Sequence, residues 1–214
     1  MKKILALTLA VLMAAAMLTA CAPSNGGDAA GEFVVGMSGP LTGAAAVYGV
    51  AVQNSAQMAI DEINAAGGLN GYKFTLVATD DQHDPTKVAT NYATLLEKGV
   101  HISLGTVTTK PGLEFKNLSK QDNLFFLTPP ASADDIPASD KGYQMCFADG
   151  DQGKVAAEYV NTLGLKKIGV FFKSDDPYSD GIYKNFTANL NKDIEIVETQ
   201  FTDANATDFS AQIT

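Results

Sequence analysis

The chain has 214 residues, 46% of them apolar, with 24 acidic and 15 basic side chains and a formal charge of −9. That apolar share is ordinary for a packed core. The acidic balance argues against a nucleic-acid binder, which needs a basic stripe to neutralise phosphates, and gives no electrostatic pull toward anionic lipid.

The first twenty residues are built like a secretion signal. Lys2 and Lys3 supply the positive start, and residues 4–17 form an apolar run too short and too Ala-rich for a convincing membrane span. Leu18-Thr19-Ala20-Cys21 closes it. This resembles the lipobox of bacterial lipoproteins, in which the cysteine is acylated and becomes the first mature residue. The resemblance implies a signal peptide over 1–20, lipidation at Cys21, export and a membrane anchor; a plain signal cleaved near Ala22 is the alternative. Residues 21–31 lack large apolar side chains after the cysteine and read as a flexible tether. With Cys21 lipidated, Cys146 has no disulfide partner and reads as a buried, inert thiol in a strand.

The remainder alternates strands and helices. Residues 33–37 are a short apolar run ended by Ser38-Gly39-Pro40, hence a buried strand. Val52, Ala56, Ala59, Ile60 and Ile63 have helical spacing over 49–66, and Gly67-Gly68 ends that helix. Asn70-Gly71 turns into a strand over 74–78. Asp84-Pro85 pairs an N-cap with proline at the first helical position, opening a helix to about residue 98. Strand 100–104, helix 113–121 and strand 124–127 follow, then a polar loop over 133–142 and a strand over 144–147. Helix 151–163, capped by Asp151, leads to strand 167–172, helix 178–190, strand 194–201 and the start of a helix over 207–214. Strict alternation predicts an α/β fold with parallel sheets flanked by helices. Ligands of such sheets bind outside the carboxyl ends of the strands. That rule selects residues 38–48, 80–84, 105–109, 128–132 and 173–179.

Two of these loops are rich in hydroxyls. Thr106, Thr108 and Thr109 follow one strand; Thr128 and Ser132 follow the next. Hydroxyls beside helix starts suit a small carboxylate or other polar ligand, although the same threonines can serve as caps. Asp80, Asp81, His83 and Asp84 crowd one loop, but Asp84 is a cap and no second histidine is near, so no metal site is expected. There is no Gly-x-Ser-x-Gly elbow, no convincing Cys–His pair and no glycine-rich phosphate loop after the first strand. Neither an enzyme nor a cofactor is expected.

Four stretches carry a family resemblance: Gly36-Met37-Ser38-Gly39-Pro40-Leu41-Thr42-Gly43 with Tyr48-Gly49, residues 59–71, Asp80-Asp81 through Asp84-Pro85, and Asp149-Gly150-Asp151-Gln152-Gly153. In this order they resemble the type I periplasmic binding proteins, specifically the branched-chain amino acid receptors of ABC transporters. The resemblance implies two Rossmann-like lobes, one over 32–148 and a partial second over 149–214. It also implies a monomer that traps a small solute, an amino acid, by hinge closure and then docks on the permease subunits. Carried over residue by residue, Tyr48 meets the solute side chain at the cleft rim, and Thr106 and Thr108 offer donors to a carboxylate. Pro130 gives a backbone carbonyl to an ammonium group. Ser132 adds a hydroxyl to the amino or carboxyl end, and Tyr178 closes from the second lobe. Thr128 and Ala131 share that loop with Pro130 and Ser132, and Asp149 sits near the hinge. A disulfide of some members is absent, since His83 and the Gly105 region stand in its place. Members are longer, so the chain reads as a C-terminally incomplete fragment with a truncated second lobe. A receptor for an amide or urea, or the sensor lobe of a signalling receptor, stays open as the alternative.

Overall fold

Two sheets organise the computed structural model, which describes residues 30–137, 141–202 and 207–210. The signal-like segment and Cys21 lie outside the described residues, as do residues 211–214 of the last expected helix. The first sheet has the order β2-β1-β3-β4-β5, with every pair parallel. Its strands are β1 (Gly31–Gly39), β2 (Tyr72–Asp80), β3 (Ile102–Ser103), β4 (Phe126–Thr128) and β5 (Gly142–Gln144). Helices α1 (Ala46–Ala65), α2 (Val88–Glu97) and α3 (Thr109–Asp122) connect the first four strands. We call this unit the first lobe. The second contains α4 (Asp149–Thr162), β6 (Lys167–Lys173), α5 (Pro177–Asn189) and β7 (Glu195–Phe201), with β6 and β7 parallel. The expected α/β class with parallel sheets and flanking helices is what forms.

Local chemistry sets the boundaries. Asp84 accepts from the Thr86 N–H at 2.9 Å and Pro85 fixes the next φ, which starts a 3₁₀ turn running into α2. Asp176-Pro177 repeats the device at α5, where the carboxylate accepts from the Tyr178 N–H at 3.2 Å. The first-lobe core forms where α2 and α3 cover the sheet. Phe115 meets Tyr92 edge-on at 5.1 Å between centroids and Phe126 at 5.6 Å, and all three rings are buried. In the second lobe α4 lies close on α5 because Gly153 is there: a Cβ would stand 2.4 Å from the Ile182 carbonyl oxygen. Gly49 likewise admits the Pro40 carbonyl, at 2.0 Å from where its Cβ would be, which seats the start of α1 on the loop after β1.

Several expectations need correction. The fifth strand is Gly142–Gln144, two residues before the expected start, because Gly142 pairs with Phe126 and Gln144 with Thr128. The chain then leaves the sheet edge toward α4, so Met145 and Phe147 are 71% and 66% exposed. Cys146 is therefore outside the strand and only half-buried; its thiol donates to the Ala131 carbonyl at 3.5 Å, and burial raises its pKa. α4 begins at Asp149, so Asp151 is an exposed first-turn residue and not the cap. The capping role passes to Asp134, whose carboxylate accepts from the Gly150 N–H at 3.1 Å. α3 starts at Thr109, ahead of the expected 113, and contains Pro111 in its first turn, where an N–H would have no helical partner. Among the described residues, no helix is long and apolar enough to cross a membrane.

Candidate functional site

A cavity of about 390 Å³ opens where the carboxyl ends of the first-lobe strands face the start of α5. That is within the usual range of small-molecule sites, about 300–1,000 Å³. From the first lobe it is lined by Ala45 and Tyr48 at the start of α1, and by His83 after β2. Val107, Thr108 and Thr109 at the start of α3, and Pro130 and Ser132 after β4, complete that side. Asp176 and Tyr178 close it from the second lobe. Every wall therefore comes from a loop that the strand-end rule selects.

Five of the residues named from the sequence meet here: Tyr48, Thr108, Pro130, Ser132 and Tyr178. Four do not line the cavity. Thr106 is fully buried and its hydroxyl donates to the Thr108 carbonyl at 3.3 Å. Thr128 is fully buried and its hydroxyl donates to the Ala131 carbonyl at 3.0 Å. Ala131 is buried beneath the same turn. These groups shape the loops and leave no hydroxyl free to face the cavity. Asp149 is also buried, with its backbone N–H donating to the Ser132 carbonyl at 2.9 Å.

The available groups differ in kind. Thr108 precedes the first residue of α3, and its Oγ1 is buried with no hydrogen-bond partner. Ser132 is 3% exposed, and its N–H donates to Thr109 Oγ1 at 3.2 Å. Asp149 Oδ2 is likewise buried without a hydrogen-bond partner, while Oδ1 receives a long contact of 3.4 Å from Gln152. Burial pushes the Asp149 carboxyl up to about 6; the Ser132 hydroxyl opposes that rise, and Asp134 and Asp176 add to it. Burial also raises the Tyr178 phenol, with the nearby Asp149 adding to the rise.

Sequence reasoning did not single out His83 and Asp176, and it named Thr109 only among the hydroxyls of its loop. His83 was visible as a failed metal ligand and as a residue at the place of the absent disulfide, not as a wall of the cavity. The loop is firmly built: Asp80 accepts from the Leu41 N–H at 2.8 Å and the Thr42 hydroxyl at 2.6 Å. Buried Asp81 accepts from the Ser38 hydroxyl at 3.1 Å and the His83 N–H at 2.9 Å. Among the described residues, no cluster of three histidine, cysteine, aspartate or glutamate side chains could hold a metal.

A family model described as periplasmic binding protein matches residues 32–214. The chain belongs to this family. The Leu/Ile/Val-binding protein BraC3 of Rhizobium johnstonii is 31% identical over 189 residues, covering 86% of this chain and 51% of that protein. An amino acid binding protein of Pseudomonas aeruginosa is 31% identical over 167 residues, covering 75% of this chain and 44% of that one. Among solved structures, LivJ of Streptococcus pneumoniae, a branched-chain amino acid transporter substrate binding protein in complex with isoleucine, superposes with a TM-score of 0.77. It is 29% identical, and the match covers 84% of this chain and 52% of LivJ. The chain thus spans about half the length of the curated relatives it matches. The resemblance to type I periplasmic binding proteins of the branched-chain amino acid group stands, and this is a family of extracytoplasmic solute-binding proteins.

Proposed function

We propose that the protein is the solute receptor of an ABC importer, binding a branched-chain or related amino acid in the cavity and delivering it to the permease. Cys21 is its lipid anchor, and it works as a monomer. The observation that carries the reading is the buried, unpartnered Thr108 hydroxyl at the start of α3, which lines the cavity together with Ser132. An α-carboxylate placed there accepts from both hydroxyls and from the free N–H groups of a helix N-terminus, which also favours negative charge. The Pro130 carbonyl supplies an acceptor for the ammonium group, and Asp149 a negative charge close behind Ser132. Tyr48, Val107 and Tyr178 give apolar surface for an aliphatic side chain. The similarity to amino-acid-binding relatives supports the same solute class.

Titration calorimetry of the protein as its producer makes it tests this, with leucine, isoleucine, valine, other amino acids, simple amides and urea. Heat with the aliphatic amino acids and none with urea is the expected result. Binding by none of the amino acids overturns the reading. The intact mass of the same membrane-extracted protein tests the anchor, which requires a diacylglyceryl increment on Cys21.

A further inference from the structure

Beside the cavity, residues 174–177 between β6 and α5 form a corner of the second lobe that meets the first. Two first-lobe side chains hold that corner. Lys110 on α3 donates from Nζ to the Asp175 carbonyl at 3.1 Å. His83 places Nε2 3.9 Å from Asp176 Oδ2. Asp176 is also the cap that accepts from the Tyr178 N–H, so the residue meeting the first lobe is the one that sets Tyr178 over the cavity. The corner is acidic: Asp175 is paired with Lys173 on its own lobe and also feels the charge of Lys110.

The first-lobe side is made to reach. Gln82 and His83 have φ of 54° and 62°, a left-handed conformation that non-glycine residues seldom adopt. Two in succession represent backbone strain, which is retained only where the surroundings fix it. Here they do: Asp80 Oδ1 accepts from the Gln82 N–H at 3.0 Å, and Asp81 Oδ1 from the His83 N–H. The outcome of that strain is a His83 ring projected to the opposing lobe.

We infer that Lys110 and His83 are positioning residues that clasp the 174–177 corner, and that this clasp sets how long Tyr178 stays closed over a bound solute. Contacts made only when the lobes are together stabilise the closed form selectively. They must break before solute leaves, and in the solute-free protein they hold part of the population closed while solute enters the open remainder. Loss of the clasp therefore acts mainly on the off-rate. Its charged part weakens with salt.

The inference goes beyond the solute reading, although its kinetic arm rests on that reading. Lys110→Met removes the donor without touching the cavity wall; His83→Asn removes the ring and suits a left-handed φ. With isoleucine as probe in stopped-flow, Lys110→Met is expected to raise the off-rate about 1.5- to 5-fold, as partly exposed charged contacts do, with the on-rate within about twofold; His83 also lines the cavity, so His83→Asn is read through the solute-free arm below. Raising salt from about 50 mM to about 1 M should speed release from the wild type and have little further effect on the double variant. Isoleucine binding with an unchanged off-rate in Lys110→Met overturns the clasp. A second arm needs no solute: small-angle scattering of the solute-free protein should show a larger radius of gyration in the double variant. If isoleucine gives no heat and the variant still expands, the solute reading fails and the clasp stands. Equal radii overturn the clasp.

Discussion

Ser132→Ala should weaken amino-acid binding by about 1–3 kcal/mol, the cost of leaving a charged end of the solute without a hydrogen bond in a dry site. That is roughly a 5- to 150-fold rise in dissociation constant, readable by calorimetry. Ser132 is 3% exposed, so no bulk water is at hand to replace the lost hydroxyl. Its backbone N–H stays bonded to Thr109 and its carbonyl to the Asp149 N–H, so the variant should keep the loop in place. Thr128→Val is the contrast. The Thr128 hydroxyl is engaged with the Ala131 carbonyl, so its loss should lower the melting temperature and disturb binding only through the loop. An unchanged dissociation constant for Ser132→Ala would remove that hydroxyl from the site.

What the sequence disclosed and what it withheld divide along a physical line. Local chemistry was legible. Asp84-Pro85 opens a helical segment where it was expected to, and the alternation of apolar runs gave a parallel α/β sheet whose strand-end loops line the cavity. The direction of each side chain in a loop was not. Thr106, Thr108 and Thr109 lie within four residues and look alike in sequence. Yet one hydroxyl bonds the next turn, one is unpartnered at the cavity and one receives the Ser132 N–H. Only loop φ and ψ separate them. Asp149 and Asp151 are equally plausible caps on paper, but the helix starts early because Asp134, remote in sequence, supplies the acceptor. His83 was opaque for a related reason. Its partner is 93 residues away, and its orientation depends on a left-handed backbone that histidine does not advertise.

Asp149→Asn should make the solute-free protein more stable at neutral pH, by up to about 3 kcal/mol. The carboxyl is 1% exposed and its Oδ2 has no hydrogen-bond partner, so ionising it is costly even at a helix N-terminus, where negative charge is otherwise favoured. Burial raises its pKa from 3.8 to about 6. Between those values the folded protein keeps a proton that the unfolded chain releases, so stability falls as pH rises through that window and stays lower above it. At 1.36 kcal/mol for each pH unit, the window amounts to about 3 kcal/mol. Asparagine carries no such charge. Its advantage in denaturant unfolding should be full near pH 7.5, about half as large near pH 5, small near pH 3.8 and absent well below that. An advantage that does not vary with pH would mean that Asp149 does not bear this cost. The same substitution should weaken binding of any amine-bearing solute, because the unpaired negative charge that destabilises the empty receptor is the one that a protonated amine would neutralise. A residue whose replacement improves the fold and impairs the ligand is the pattern expected where a site is kept strained for use.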